Sequence, residues 1–483
     1  MAEDDRRPDE DRISGLPDHL LHGILVDLRS VRAAARTSVL SRRWRHVWTQ
    51  IPKLVLFHLH DQPPPALFMI SVDAALAAHS APAVEDFGIT LPTDGPRVPA
   101  CRVAQWLRSV SQRAVGGLVV FVPSPTGMSR LASLFAPIVE EELEIPSFGA
   151  ATRILLTLDE GWRLRLPTTG LFSALTLLTI SSARVKGSEL SSLVSTQCPR
   201  LEALYLTVTL CTVSDVSMRT DSLEVLSFCV ENARCLDVVA PRLEQLNVSH
   251  DVIEANISAP KLAKLAWRGS GVYDPRRHKF ADVGRCLRLL DINETRAGAS
   301  LLQRFDTVGE LKLTILIEKE IFGYQSFLNE TKVLPRCETM SVSVVWNYHG
   351  LVPAMVHLLR SCTATRKLFV ALFSSDYYNM MYRCPMSCPC CLAMNCKTDD
   401  ITLGSLEEVE LSEFTCSQEE LEFVEQLSRC NAAVLKKIVI CYKRRPRTPL
   451  TKEVCEKVRS KCRSNLKVEF YTTSDVLRRV PFD

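Results

Sequence analysis

Residues 240–267 read APRLEQLNVSHDVIEANISAPKLAKLAW, and the same short phrase opens and closes the stretch. In both copies a proline stands two residues before a leucine, and apolar residues follow in the pattern LxxLxL. CPRLEALYL at 198–206 repeats the phrase, and DSLEVLSF at 221–228 repeats its Leu-Glu pair. Working outward, and allowing other bulky apolar residues, the pattern begins at Leu175, Leu201, Leu223, Leu243, Leu262, Leu287 and Val308. The gaps are 26, 22, 20, 19, 25 and 21 residues. Within each copy the fourth and sixth positions share one face of an extended strand. A single copy cannot bury that face, but stacked copies can.

Those periods are leucine-rich-repeat periods, which predict a curved parallel sheet in an α/β solenoid. Leu204, Leu226, Leu246 and Leu265 are expected in the core. The intervening Tyr205, Ser227, Asn247 and Ala266 are expected on the opposite, concave face. An asparagine three residues past the last leucine is missing, since Thr209, Glu231, Asp251, Ser270 and Thr295 stand there. Irregular turns are therefore expected.

A different pattern fills residues 11–56, DRISGLPDHLLHGILVDLRSVRAAARTSVLSRRWRHVWTQIPKLVL. After Leu16 and Pro17, apolar side chains recur at Leu20, Leu21, Ile24, Leu25 and Leu28, a helical stripe whose proline suits a helix start. Ser30 is placed to cap an alanine-rich second helix, and Ser41 a third carrying Trp44, Val47, Trp48 and Ile51 at helical spacing. Pro52 stops it. Three helices in about 45 residues enclose little core of their own, so a module of this size calls for a partner.

This stretch resembles an F-box, on DRISGLPD, the leucine-rich helix and RTSVLSRRWRHVW. The form with RTSVLSRRW resembles plant F-box proteins that continue into leucine-rich repeats. The resemblance implies docking to the Skp-type adaptor of a cullin-RING ubiquitin ligase, and through it to cullin. Leu16, Pro17, Leu20, Leu21, Ile24, Leu25, Leu40, Trp44 and Trp48 would form that interface and its support.

The resemblance extends along the chain. Prolines 63–65 suggest a stiff extended connector. Residues 102–113, with Val103, Trp106, Leu107 and Val110 at helical spacing, and 118–122 as a strand, read as the first helix and strand of the solenoid, with Trp106 in the core. Residues 153–180 resemble the start of the repeats in the same family. Residues 401–440 read strand, loop, helix, strand: Leu406, Val409 and Leu411 on the first strand, Leu421, Val424, Leu427 and Val434 along the helix and its exit, and 435–440 as the second strand. They resemble the FBD segment of such proteins, with a cap as its physical role. The expected organisation is an acidic disordered terminus (1–10), F-box (11–56), connector and beginning of the solenoid (57–100), leucine-rich repeats (101–400), FBD-like segment (401–445) and C-terminal region (446–483).

Composition narrows the function classes. With 483 residues, 46% hydrophobic and 23% charged, the chain can fold around a sizeable core, and a net charge of +3 gives no general attraction to nucleic acid or membrane. The seven Lys/Arg between Arg29 and Lys53, free of carboxylates, could steer an acidic adaptor. The run Lys436, Lys437, Lys443, Arg444, Arg445 and Arg447 reads as a solvated strand edge guarded by charge rather than a polyanion patch. The N-terminus lacks signal-peptide features and no apolar run reaches bilayer length, so the expected location is nucleus or cytoplasm. Sequons at Asn247, Asn256, Asn293 and Asn329 then go unused.

Of eighteen cysteines, Cys384, Cys388, Cys390, Cys391 and Cys396 crowd one loop (384–396), but paired CxxC spacing is missing and no metal is expected. Dispersed histidines and the lack of phosphate-loop, HExxH, GxSxG or GxGxxG motifs in a fitting context argue against an enzyme and a cofactor. His19, His22 and His46 are assigned to exposed faces of the F-box-like helices. The leading reading is a substrate-recognition subunit holding an unknown target protein. The alternative is a repeat scaffold or ligand-binding protein that does not direct ubiquitin transfer.

Overall fold

The structure, a computed structural model, describes residues 16–28, 31–57, 65–93, 98–123, 140–167, 169–268, 273–292, 300–317, 321–346, 350–374, 401–442, 450–473 and 479–482. Outside these fall the acidic residues 1–10, the proposed cap Ser30, Pro63 and Pro64, the cysteine-rich loop 384–396, Asn293, Ser270, Thr295 and the basic residues 443–447. The chain divides into two compact units, Met1–Leu243 and Glu244–Asp483.

The first unit opens with helices α1 (Asp18–Asp27), α2 (Val31–Arg36) and α3 (Trp44–Val47). Strand β1 (Lys53–Phe57), helix α4 (Pro65–Ala78), β2 (Val84–Thr90), α5 (Ala100–Ser111) and β3 (Ala114–Phe121) follow. Then come β4 (Glu141–Glu144), β5 (Arg153–Thr157), β6 (Trp162–Arg165), β7 (Leu177–Val185), β8 (Ala203–Arg219) and β9 (Val225–Val239).

Strands β1, β2, β3, β5, β7, β8 and β9 pair in that order, all parallel. Their register carries Leu54, Phe87, Leu118, Ile154, Leu178, Leu204 and Leu226 across one row of the sheet. Leu56, Ile89, Val120, Leu156, Ile180, Leu206 and Phe228 form the next inward row. Both rows are buried. The period-two alternation in each strand sends these side chains inward, and in-register stacking makes the rows continuous.

The second unit repeats the plan. Strands β10 (Gln245–Val248), β12 (Lys264–Trp267), β14 (Cys286–Ile292), β15 (Thr307–Ile317), β16 (Arg336–Trp346), β17 (Lys367–Ser374), β18 (Glu408–Phe414), β19 (Lys437–Tyr442) and β20 (Lys467–Thr473) pair in parallel. Leu246, Leu265, Leu290, Leu311, Met340, Leu368, Val409 and Ile438 form its buried row. Helices Ile321–Glu330, Leu351–Ser361, Gln418–Arg429 and Lys452–Arg459 make the return paths.

In other repeats the return path holds a strand instead. Strands β4 and β6 pair in the first unit. In the second, β11 (Glu254–Ser258) and β13 (His278–Ala281) do the same. Strands β8 and β9 run on past a bend, at which Asn232 takes a left-handed backbone (φ 63°), and pair again from Ser214 with Ala233 to Arg219 with Val239.

Several expectations change. The parallel sheet begins at Lys53, one helix and two strands before residue 102, because Lys53–Phe57 pairs directly with Val84–Thr90. Pro65 does not extend a stiff connector; it opens α4, where its missing N–H costs nothing. Trp106 is core as expected, and its ring N–H also reaches Asp73 on α4 at 2.6 Å.

The strand–helix–strand of the FBD-like segment is present as β18, helix Gln418–Arg429 and β19. It has paired strands on both sides, however, so the cap extends through β20 and a short antiparallel β21 (Arg479–Pro481). Val434 lies exposed beyond the helix rather than lining it. Strand β19 is therefore no edge. Lys436 and Lys437 do not guard one either: they pair with Glu407 and Glu408, each at 2.8 Å.

Candidate docking surface

The N-terminal helices are welded to the first repeats rather than appended to them. Ser80 N–H donates to the Thr49 carbonyl at 2.7 Å and Glu85 N–H to the Pro52 carbonyl at 2.8 Å. Between them the buried ring of His79 meets the Ile51 carbonyl through Nε2 at 2.9 Å. Arg113 reaches the His79 and Ala81 carbonyls at 3.1 Å. Burial, with the Arg113 charge adding to it, outweighs the backbone bond and holds the His79 pKa below its ordinary value.

Within the module, a long-range tie from Arg43 stands where a cap from Ser41 was expected. Its guanidinium binds the Leu16 carbonyl and the Asp18 carboxylate, tying the beginning of α1 to the beginning of α3. The Ser41 hydroxyl caps nothing, because Arg43 is already helical where a cap must be extended. His22 is half-buried rather than exposed, and its Nε2 lies buried.

This frame sorts the candidate residues. Leu21 and Leu25 on α1 and Trp44 on α3 are buried where the three helices meet and act as support. Leu16 and Trp48 are half-buried, and Pro17 is exposed. Leu20 (47%) and Ile24 (43%) stand exposed one helical turn apart, and Leu40 (66%) is exposed on the turn after α2. Leu28 and Val39 are exposed too. Val39 was missed by the sequence reading because it sits in a turn, outside any helical period. The module therefore leaves five large apolar side chains open to water, more than a self-contained helical hairpin would expose. No helix among the described residues is long and apolar enough to cross a membrane.

A second exposed surface lies on the sheet faces opposite the buried rows. In the first unit Tyr205 is exposed and Ser227 half-buried; in the second, Asn247 and Ala266 are half-buried. Neighbouring Leu204, Leu226, Leu246 and Leu265 are buried, so the two faces are oriented as the repeat pattern predicts.

Among the described residues no group of three or more His, Cys, Asp or Glu is placed to hold a metal. Burial pushes the thiols of Cys198 and Cys362 up to about 12, which leaves both protonated and unreactive at neutral pH. His278, near a cleft beside Tyr273 and Asp274, is occupied by backbone: it accepts the Asp274 N–H at 3.0 Å and meets the Val252 carbonyl at 3.0 Å.

Parts of this chain are similar to known proteins. Residues 103–280 match the family described as the leucine-rich repeats of the FBD-associated F-box protein At5g56370. The chain is 28% identical over 249 residues to the FBD-associated F-box protein At5g50270 of Arabidopsis thaliana, covering 49% of this chain and 57% of that one. Another FBD-associated F-box protein of the same plant, At1g32375, is 28% identical over 262 residues, 51% of this chain and 59% of its own. The F-box/FBD/LRR-repeat protein At2g04230 is 38% identical over 117 residues, 23% of this chain and 25% of its own. The longer matches thus span a little over half of these relatives' lengths. The chain resembles plant F-box proteins with leucine-rich repeats and an FBD segment.

Proposed function

We propose that this chain is the substrate-recognition subunit of a Skp–cullin–F-box ubiquitin ligase. In this reading the face carrying Pro17, Leu20, Ile24 and Leu40 seats the Skp-type adaptor, and the repeats hold a target protein. The observation that carries it is the set of exposed large apolar side chains on helices fixed to the repeat ladder. Burying such side chains against a partner yields about 25 cal/mol per Å² of apolar surface, and a few of them at the centre of a contact dominate its affinity.

The contribution to ubiquitin transfer is proximity, with chemistry supplied by the ligase partners and no catalytic residue in this chain. The welds at Thr49, Ile51 and Pro52 suit that role, because a rigid joint holds a target at a fixed offset from the adaptor. Nucleus or cytoplasm is the compartment this assignment needs. Co-purification with a Skp-type adaptor tests it: wild-type protein should retain adaptor stoichiometrically. A folded protein that never retains adaptor would leave a repeat scaffold without ligase function.

A further inference from the structure

A helix on the surface of a globular fold packs one apolar stripe on the core and turns a polar face to water. Helix α4 breaks that rule. Phe68, Val72, Ala75 and Leu76 are buried, as the inner stripe requires. Leu67, Ile70, Ser71, Ala74, Ala77 and Ala78 are all exposed, Leu67 at 51% and Ile70 at 59%. At about 100° per residue these six fall within roughly 120° of the helix circumference, so they form a second stripe, and it carries no charge. Asp73, the one charged residue of the helix, sits at the margin of the stripe and is held by Arg102 and the Trp106 ring N–H. Other return helices keep to the rule: Gln105 and Arg108 are exposed on α5, and Glu453, Glu456 and Lys457 on the helix Lys452–Arg459.

Side-chain size grades along the stripe. Its three alanines lie at the C-terminal end of α4, and Leu67 and Ile70 at the other. The alanine end is joined to the N-terminal helical module, because His79 and Ser80 follow directly and bind the Ile51 and Thr49 carbonyls at 2.9 and 2.7 Å. The Thr49 and Ser80 hydroxyls also lie 3.3 Å apart. From Leu67 to Ala78 the helix runs about 18 Å, and a stripe roughly 10 Å wide offers on the order of 200 Å². A stable contact takes about 800 Å² from each partner. The stripe is therefore too small to hold a partner alone, a second copy of this chain included, and it works only as the continuation of a larger contact. The module to which its alanine end is joined supplies one.

We propose that α4 extends the docking face: a Skp-type adaptor seated on the module continues along the helix, passing close over Ala74, Ala77 and Ala78 and burying Leu67 and Ile70 at the far end. The inference deepens the adaptor-docking reading and rests on it. Small side chains shorten the distance at which a second element packs on a helix, and the two large ones at the far end are the anchors. The adaptor surface that meets the stripe is apolar and uncharged, since a charge buried there would find no counter-ion on the stripe.

The test is the dissociation constant of the full-length chain for a purified plant Skp-type adaptor, measured by isothermal titration calorimetry. Leu67→Glu with Ile70→Glu removes the anchors and should weaken binding at least tenfold. Ala77→Arg, at the other end of the stripe, blocks the close approach and should do the same. Gln105→Glu, on the outer face of α5, is the control and should bind as the wild type does. Both stripe variants change solvent-facing positions, and an unchanged melting temperature in either one is enough to read the result. Unchanged adaptor binding in a folded stripe variant would overturn the extension and leave the docking reading standing. A wild-type chain that binds no adaptor would overturn both. A wild-type dimer in sedimentation, dissolved by the same substitutions, would put a second copy on the stripe and overturn the proposal as well.

Discussion

Replacing Leu265 by alanine probes the repeat core at its most constrained point. Leu265 is fully buried on β12, with Leu246 and Leu290 beside it in register on the two flanking strands. Removing three carbons forfeits about 2 kcal/mol of transfer free energy at roughly 0.8 kcal/mol per group. A cavity term of about 24 cal/mol per Å³ adds to this, and it is large here because hydrogen-bonded strands on both sides cannot close in. The expected loss is about 3 to 5 kcal/mol. Urea unfolding should be followed by the fluorescence of Trp267, two residues further along the same inward face and buried. That ring reports the repeat being tested, which matters in a stacked array whose repeats can unfold separately. The adjacent outward change Ala266→Ser is the control and should shift stability by less than about 0.5 kcal/mol. A loss below about 1 kcal/mol for Leu265→Ala, or a larger effect for Ala266→Ser, would refute the facing assigned to the strand.

Pro17→Ala with Leu20→Ala should abolish adaptor pull-down while leaving the repeats folded by circular dichroism, since both side chains are exposed; retained binding would reject the docking face. Glu419, whose carboxylate accepts the Leu351 N–H at 2.8 Å, has its pKa pushed up to about 7 by burial. A folded pKa raised above the unfolded value of about 4.5 means its contribution is fully present below pH 4.5 and is lost as pH rises through 7. Relative to Glu419→Gln, the wild type should therefore lose up to about 3 kcal/mol between pH 5 and 8 in unfolding titrations, and parallel curves would remove the buried-acid account. His79 has the opposite sign: its pKa is lowered, so its contribution is lost as pH falls below about 6.5, and His79→Gln should flatten the acid limb of the stability profile. Elemental analysis of purified protein should find no stoichiometric zinc; one zinc per chain, lost with cooperative folding when Cys388 and Cys396 become serine, would reverse the reading of the cysteine-rich loop.

Much of the architecture was legible in the sequence because repetition amplifies a weak local signal. Any one LxxLxL is ambiguous. Seven copies at nearly constant spacing fix the strand, its facing and the parallel stacking, since each must bury the same two positions against its neighbours. The helical module was legible for a similar reason, as its stripe from Leu20 to Leu28 and its proline boundaries are local rules. Tertiary structure decided the rest. Alternation cannot say whether a return path is helix or strand, and pairing between successive return segments made some of them strands. Periodicity placed Leu20, Leu21, Ile24 and Leu25 on one stripe, but packing against α2 and α3 split them into two exposed and two buried. Ser41 caps nothing, and the tie comes instead from Arg43, whose reach to Asp18 spans 25 residues and has no local signature. The outward row that joins Phe57 to Phe121 through Thr90 arose in the same way. Those residues are 64 positions apart in the chain and become neighbours only once three strands pair in register, a long-range fact that no window of sequence contains.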